Sequence, residues 1–202
     1  MYLKESAVIA LIAVAIIPFT GFLVNFVISG ILGFLLGLVS RSGKLYMFFA
    51  NRLTFIGVMW HELSHALFAF LTGAKVERIE LYHKEDDRLG CVSYRARGIW
   101  PLRCIQHSLS SCAPVVMGIV ALLGITAAVS AFELPVWAVA IAVYLFISIM
   151  VHMDMSPQDL KQYVKGVPFL LVVFFIIAYV CLLNDPDMFV RIINNLGIKI
   201  NG

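Results

Sequence analysis

Long apolar runs without charge alternate with short polar segments along this chain. The first run contains no charged residue between Glu5 and Arg41, which is longer than the roughly 20 residues that a membrane-spanning helix needs. Four further apolar runs lie at 54–72, 105–131, 135–153 and 167–183. The pattern predicts an all-α polytopic membrane protein with five transmembrane helices, or six if the first run folds back on itself.

Two features of the first run bear on its shape. Pro18 and the Ser29–Gly30 pair are the expected irregular points, because proline and adjacent small residues commonly kink helices. Small or polar residues also recur at every fourth position, which predicts one face for close helix packing: Gly21, Asn25, Ser29, Gly33 and Gly37. The run starts like a signal peptide, but no A-x-A-like cleavage site follows, so we expect a retained anchor.

The longest polar insertion, 73–103, predicts a small β-structure. The strand-like stretches "AKVERIELYHK" and "CVSYRAR" flank "EDDRLG", whose Asp and Gly residues favour a turn. This order of strand, turn and strand predicts a membrane-associated β-hairpin between two helices.

Composition excludes several classes of protein. The chain is 61% hydrophobic and only 13% charged, with a mean hydropathy of +0.95, which is too apolar for a soluble domain. The net charge of +3 is too small to indicate a nucleic-acid partner. The four cysteines form no C-x-x-C pair, so neither a disulfide framework nor a cysteine zinc knuckle is expected.

The basic residues predict an orientation in the membrane. With five spans, ten of the fifteen lysines and arginines fall on the side that holds the N-terminus, the 73–103 insertion and the loop after residue 153. Lysine and arginine concentrate in cytoplasmic loops. The hairpin is therefore expected on the cytoplasmic side.

One apolar run, "MWHELSHALFAFLTG", contains an H-E-x-x-H pattern formed by His61, Glu62 and His65. On a helix, histidines four residues apart share a face and can bind one zinc ion, and the glutamate between them can take a proton from metal-bound water. The alternative is a hydrogen-bonded core role, but ionisable residues inside a membrane span usually mark function. Gly57 and Ala69, one turn before and after the pair, are expected to leave that face open.

The segment "HELSHALFAFLTGAKVERIEL", the hairpin after it and the later "SSCAPVVMG" resemble the site-2 protease family of intramembrane zinc metalloproteases. The resemblance implies hydrolysis of peptide bonds in or near the bilayer. His61 and His65 would bind one Zn²⁺ per chain, and Glu62 would be the general base. One domain over 1–202 is expected, with the anchor at 1–45, the catalytic core at 46–166 and a C-terminal span and tail at 167–202.

The third zinc ligand departs from the family pattern. The family's usual N-x-x-P-x-P-x-x-D-G string is absent, and "VHMDMSPQDLK" offers His152, Asp154 and Asp159 instead. Asp159 is preferred, because "MSPQDLK" resembles an element of small, divergent relatives and Pro157 can start a helix that presents it. The alternative for Asp159 is a solvated carboxylate at a helix start near Ser156.

Other roles and functions stay open at this stage. The hairpin could hold an extended membrane-protein or peptide substrate by adding it as a strand, or could simply cover the membrane face of the protein. His107, Ser110 and Ser111 could line a cavity or form the polar end of a helix. The chain could also be a noncatalytic zinc-binding membrane adaptor, or a metal transporter, although a transporter would be expected to scatter its ligands over several helices.

Overall fold

The structure, a computed structural model, describes residues 2–39, 44–81, 90–187 and 191. Helices dominate it, and a single β-hairpin joins the third and fourth of them. In chain order the elements are α1 (Leu3–Val39), α2 (Lys44–Phe48), a π-helical segment (Phe49–Leu53), α3 (Phe55–Leu71), β1 (Lys75–Glu80), β2 (Cys91–Arg95), α4 (Trp100–Ala131), α5 (Val136–Val151) and α6 (Pro157–Asn184).

Three helices, α1, α4 and α6, are long and apolar enough to cross a membrane, which suggests a membrane protein. The apolar helices α3 and α5 have 17 and 16 residues. At a rise of about 1.5 Å per residue each is about 25 Å long, somewhat less than the hydrocarbon core of about 30 Å. Their passage through a membrane stays a prediction.

The first apolar run forms one unbroken helix, so the expected irregularities at Pro18 and Ser29–Gly30 do not interrupt it and α1 does not fold back. Proline has no backbone N–H, so Pro18 leaves the Val14 carbonyl without its helical donor. The Tyr163 hydroxyl of α6 donates to that carbonyl at 2.7 Å. A side chain from a neighbouring helix thus satisfies the buried oxygen, and the helix continues.

The predicted small-residue face of α1 is confirmed only in part. A Cβ added at Gly21 would lie 2.7 Å from Val115 Cγ2 and 3.2 Å from the Met153 carbonyl oxygen. The same addition at Gly33 or Gly37 would meet no heavy atom within 4 Å among the described residues. Only the first half of this face therefore packs closely, because α4 and the chain after α5 reach α1 at Gly21.

Helix α4 is central to the fold, since it packs against α1, α3, α5 and α6. It approaches α6 closely at Gly166, where an added Cβ would overlap Ser108 Oγ and the Cys104 carbonyl oxygen. The buried polar side chains of α4 include Gln106, Ser108, Ser110 and Ser111. Much of the polar interior of the protein thus lies along the first half of this helix.

The predicted hairpin is confirmed. β1 and β2 form a two-stranded antiparallel sheet whose register runs from Lys75 opposite Arg95 to Glu80 opposite Cys91, with an irregularity between Val76 and Arg78. The predicted turn is 85–90, of which the structure describes only Gly90; residues 82–84 of the first predicted strand also lie outside the described residues. Both strands contact α3, so the sheet covers the helix that carries the H-E-x-x-H pattern.

Candidate functional site

The two histidines of the H-E-x-x-H pattern stack on one face of α3, as their spacing predicts. Their Nε2 atoms are 3.1 Å apart, and the rings meet edge to face with centroids 4.7 Å apart. His65 is buried, and His61 is partly buried. The two imidazoles therefore present two nitrogen atoms to the same point in space.

Asp159 brings a carboxylate to that point from the start of α6. Its Oδ1 lies 3.3 Å from His65 Nε2, and its Oδ2 lies 3.6 Å from His61 Nε2. Ligand atoms of the three side chains all lie within 4.8 Å of one another. His61, His65 and Asp159 thus form a candidate metal-binding triad, with the carboxylate that the sequence favoured.

The same carboxylate also caps α6. The Ser156 amide donates to Asp159 Oδ2 at 2.9 Å, and the Asp159 amide donates to Ser156 Oγ at 3.2 Å. Pro157 is the first residue of the helix, as predicted. This reciprocal capping box fixes the first turn of α6. The Asp159 side chain therefore caps the helix and also lies beside the two histidines.

Two backbone carbonyls fix the orientation of the imidazoles. His61 Nδ1 lies 2.8 Å from the His152 oxygen, and His65 Nδ1 lies 2.7 Å from the Ser110 oxygen. A carbonyl oxygen only accepts hydrogen bonds, so each Nδ1 carries a hydrogen. In the neutral form each Nε2 is then an acceptor, so a metal cation or a proton is needed where these two lone pairs meet a carboxylate.

The spacing of the three ligand atoms suits a small divalent ion. Tetrahedral bonds of about 2.0–2.1 Å to nitrogen or oxygen place neighbouring ligand atoms about 3.3 Å apart. The two Nε2 atoms are 3.1 Å apart, and Asp159 places Oδ1 at 3.3 Å from His65 Nε2 and Oδ2 at 3.6 Å from His61 Nε2. Carbonyl partners on the far ring nitrogens are also usual for histidines that bind metals. The spacing of the ligand atoms and the carbonyl partners of the two Nδ1 atoms are therefore both compatible with a bound metal ion.

The two other predicted candidates for the third ligand have different partners. The His152 ring nitrogen Nε2 lies 3.0 Å from Thr54 Oγ1. The backbone carbonyl of His152 accepts the hydrogen bond from His61 Nδ1. Asp154 lines the same cleft as the triad but is not part of it. Burial raises the pKa of the Asp154 carboxyl above its ordinary range, and Asn25 of α1 hydrogen-bonds it.

Glu62 lies beside the triad and is buried. Gly90, the residue before β2, packs directly on it. A Cβ at residue 90 would lie 2.6 Å from Glu62 Cγ and 3.1 Å from the Glu80 carbonyl oxygen. The hairpin thus comes close enough to hold the Glu62 side chain only because residue 90 is glycine.

A cleft of about 740 Å³ opens over these groups. Its walls come from α3, from β2 and the residue before it, from the chain after α5 and from the start of α6, and Ser111 of α4 adds a polar group. Tyr94 of β2 also lines the cleft, and burial raises the pKa of its phenol, so it is protonated at neutral pH. The cleft combines acidic, basic, amide and apolar side chains.

The expectation that Gly57 and Ala69 leave the histidine face open is wrong. The Gly57 amide donates to Ser148 Oγ of α5 at 2.8 Å, and a Cβ at Gly57 would overlap the Ser148 carbonyl oxygen. Ala69 is fully buried. Both small residues are covered, and the cleft at the triad is lined instead by β2 and the start of α6.

Three residues near the site have roles that the sequence did not predict. The Ser110 carbonyl orients His65, whereas the sequence left Ser110 between a cavity role and the polar end of a helix. Gly90 and Tyr94 shape the cleft from the hairpin. A glycine beside a predicted strand is the signal that could have indicated a close backbone approach.

Comparison with protein-family models, curated proteins and solved structures found no match to this chain. The resemblance to the site-2 proteases rests on the sequence motifs alone.

Proposed function

We propose that this chain is an intramembrane zinc metalloprotease that hydrolyses peptide bonds of membrane-embedded or membrane-proximal proteins. One observation carries the proposal: two imidazole nitrogens and a carboxylate converge in a cleft that also holds the buried Glu62. The order His61, Glu62, His65 places an acid–base group next to two ligands. A purely structural metal site has no use for that group.

The donor set favours zinc. Zinc binds two imidazole nitrogens and one carboxylate in many hydrolytic sites, where three protein ligands leave a fourth position for water or substrate. Among the described residues, the cluster contains three ligand side chains. A bound zinc ion would supply Lewis acidity for the carbonyl group of the substrate and would lower the pKa of a coordinated water.

Glu62 would then move the protons. Its carboxylate accepts a proton from the attacking water, and the oxygen of that water bonds to the carbonyl carbon of the peptide. As the carbon–nitrogen bond breaks, Glu62 returns the proton to the leaving nitrogen. One water molecule is consumed, and Glu62 ends in its starting form.

The cleft suits an extended peptide. Its volume of about 740 Å³ is well within the range of about 300–1,000 Å³ that is typical of ligand sites. Residues 91–94 of β2 line it, so a substrate strand could pair with the β2 backbone while its scissile bond faces the triad. A transmembrane substrate would have to unwind locally first, because helical peptide bonds are shielded.

Segments that join or begin helices form much of the cleft. The hairpin, the residues that follow α5 and the first turn of α6 all line the cleft. This arrangement supports the grouping of these segments on one side of the membrane, and the excess of basic residues favours the cytoplasmic side.

Glu62→Gln is expected to abolish most hydrolysis while leaving the metal in place. The amide cannot accept the proton, so turnover should fall about 10²–10⁴-fold. The measurement is cleavage of quenched-fluorescence transmembrane peptides by purified protein in lipid bicelles, together with metal analysis of the same samples.

Wild-type protein with about one zinc per chain and no cleavage of any peptide would contradict the protease and favour the adaptor. Zinc flux into liposomes that contain the protein would favour the transporter instead. Leu63→Ala, a change to the exposed neighbour of Glu62, is the matched control and should cleave as wild type does.

Gly90→Ala is expected to reduce hydrolysis without releasing the metal. The added Cβ would press on Glu62 Cγ at 2.6 Å, so the carboxylate must move while the triad keeps its ligands. Gly124→Ala is the control, because a Cβ there meets no heavy atom within 4 Å among the described residues. Equal turnover of the two variants would show that the hairpin does not hold Glu62.

A further inference from the structure

Pro114 lies inside α4, four residues after Ser110, and both residues are fully buried. In an α-helix the carbonyl of one residue normally accepts from the amide four residues later. Proline has no backbone N–H. The Ser110 carbonyl therefore lacks its regular helical donor, although a buried carbonyl without a partner is unfavourable.

The partner that replaces this donor is a ligand of the candidate metal site. His65 Nδ1 donates to the Ser110 carbonyl oxygen at 2.7 Å. The oxygen that Pro114 releases is thus the atom that fixes which nitrogen of His65 carries the hydrogen and how the ring is turned. The Nε2 atom is left free to face His61 and Asp159.

The same exchange of partners occurs at a second proline, away from the site. Pro18 releases the Val14 carbonyl in α1, and the Tyr163 hydroxyl binds it at 2.7 Å. In both places a side chain from another helix takes up the oxygen that a proline has released. At Pro114 the side chain is an imidazole of the triad.

We propose that Pro114 is a positioning residue for the metal ligand His65, acting by removal of the amide hydrogen that would compete for the Ser110 carbonyl. The inference rests on the metal centre of the proposed function and not on hydrolysis. A hydrogen bond to the far ring nitrogen sets the tautomer and the basicity of a metal-binding histidine.

A second contact separates this effect from helix packing. The Ser110 hydroxyl donates to the His65 carbonyl oxygen at 3.0 Å, and this bond joins α3 to α4 without involving Pro114. Substitution of Pro114 should therefore leave the two helices together and alter the ring of His65.

Pro114→Ala restores an amide hydrogen to α4 and should weaken Zn²⁺ binding by about 10–100-fold, the usual effect of losing an outer partner of a metal ligand. The fold should be at least as stable, since a proline has left a helix interior. Competition titration with a zinc-sensitive dye measures the affinity. The visible absorption of bound Co²⁺ should also change, because it reports the geometry of the ligands.

Pro168→Ala is the matched control. Pro168 lies inside α6 and is exposed, as is Val164 four residues earlier. In the part of the chain that the structure describes, no side chain hydrogen-bonds the Val164 carbonyl. This variant should bind Zn²⁺ as tightly as wild type does.

A backbone ester distinguishes the missing hydrogen from the shape of the proline ring. Lactic acid incorporated at position 114 has the alanine side chain but no N–H, so its zinc affinity should match that of wild type. Weak binding by this ester, or wild-type affinity in Pro114→Ala, would overturn the proposal. Absence of zinc binding by the wild type would overturn the metal centre and this inference together, whereas a lack of peptide cleavage bears on hydrolysis alone.

Discussion

Asp159→Asn is expected to reduce bound zinc from about one ion per chain to less than about one tenth, and to abolish hydrolysis with it. Among the described residues of the cluster, Asp159 would supply the one anionic ligand of the proposed zinc site, and its oxygens lie 3.3 and 3.6 Å from the two imidazole nitrogens. An amide oxygen carries no net charge and is a poor zinc ligand. Metal analysis of purified protein after dialysis measures the loss.

Asparagine is chosen because it keeps the start of α6 intact. The amide oxygen can still accept from the Ser156 amide, as Asp159 Oδ2 does at 2.9 Å. Loss of metal would then reflect the missing ligand, without a frayed helix. Zinc-free wild type and Asp159→Asn should have equal helix content by circular dichroism and equal midpoints of thermal unfolding.

Asp154→Asn is the matched control for Asp159→Asn. Asp154 lines the cleft and, like Asp159, is partly buried, but it lies outside the triad. It should therefore retain about one zinc per chain. The reverse result, with metal lost from Asp154→Asn and kept in Asp159→Asn, would mean that Asp154 and not Asp159 is the third metal ligand.

Gly57→Ala is expected to destabilise the protein by about 1–3 kcal/mol or more, as overpacking of a buried contact does. The added methyl group would overlap the Ser148 carbonyl oxygen and would lie 2.7 Å from His152 Cδ2. The Ser148 carbonyl belongs to the α5 backbone, so it can move only if the helix moves. Unfolding in urea or in rising SDS, followed by circular dichroism, measures the loss.

The same substitution should weaken zinc binding. His61 Nδ1 donates to the His152 carbonyl oxygen at 2.8 Å, just beyond the end of α5. A shift of α5 away from α3 stretches that bond and releases the His61 ring. Gly57→Ala is therefore expected to lower the zinc affinity as well as the stability, although Gly57 lies one helical turn from His61.

Gly33→Ala in α1 controls for the glycine-to-alanine change itself. Alanine is favoured over glycine in a helix by roughly 0.5–1 kcal/mol, and a Cβ at Gly33 would meet no described heavy atom within 4 Å. This variant should be equal to wild type or more stable. Similar stabilities for Gly57→Ala and Gly33→Ala would contradict the close approach of α3 and α5.

The apolar runs predict the presence of the helices but not the residues at which they begin. The apolar runs at 105–131 and 167–183 predict two helices, but α4 begins at Trp100 and α6 at Pro157. Charged residues end an apolar run without ending a helix, and the prolines at the first turns of both helices are better start signals. The polar first turn of α6 is the part that carries Asp159.

The expectation at Gly57 failed for a different reason. A small residue beside a functional pair leaves a gap on the helix face, and the sequence does not say what fills it. In the structure the α5 backbone at Ser148 occupies the gap beside Gly57. Substrate access and close helix packing thus give the same local pattern, and only the position of the neighbouring helix separates them.

The sequence by itself determined the features that depend on local geometry. The spacing of His61 and His65 places them on one helix face, the strand-like stretches pair as β1 and β2, and Ser156 with Pro157 starts α6. Each follows from backbone periodicity or from hydrogen bonds between residues that are close in the chain.

Only the tertiary structure decided which carboxylate meets the histidines, which carbonyls orient them and which wall encloses Glu62. These contacts join residues as far apart as His61 and Asp159, whose meeting depends on how α3, α4 and α6 pack. Packing is set by side-chain shape along whole helices, including gaps at glycines and carbonyls released by prolines. No local pattern around a single residue contains that information.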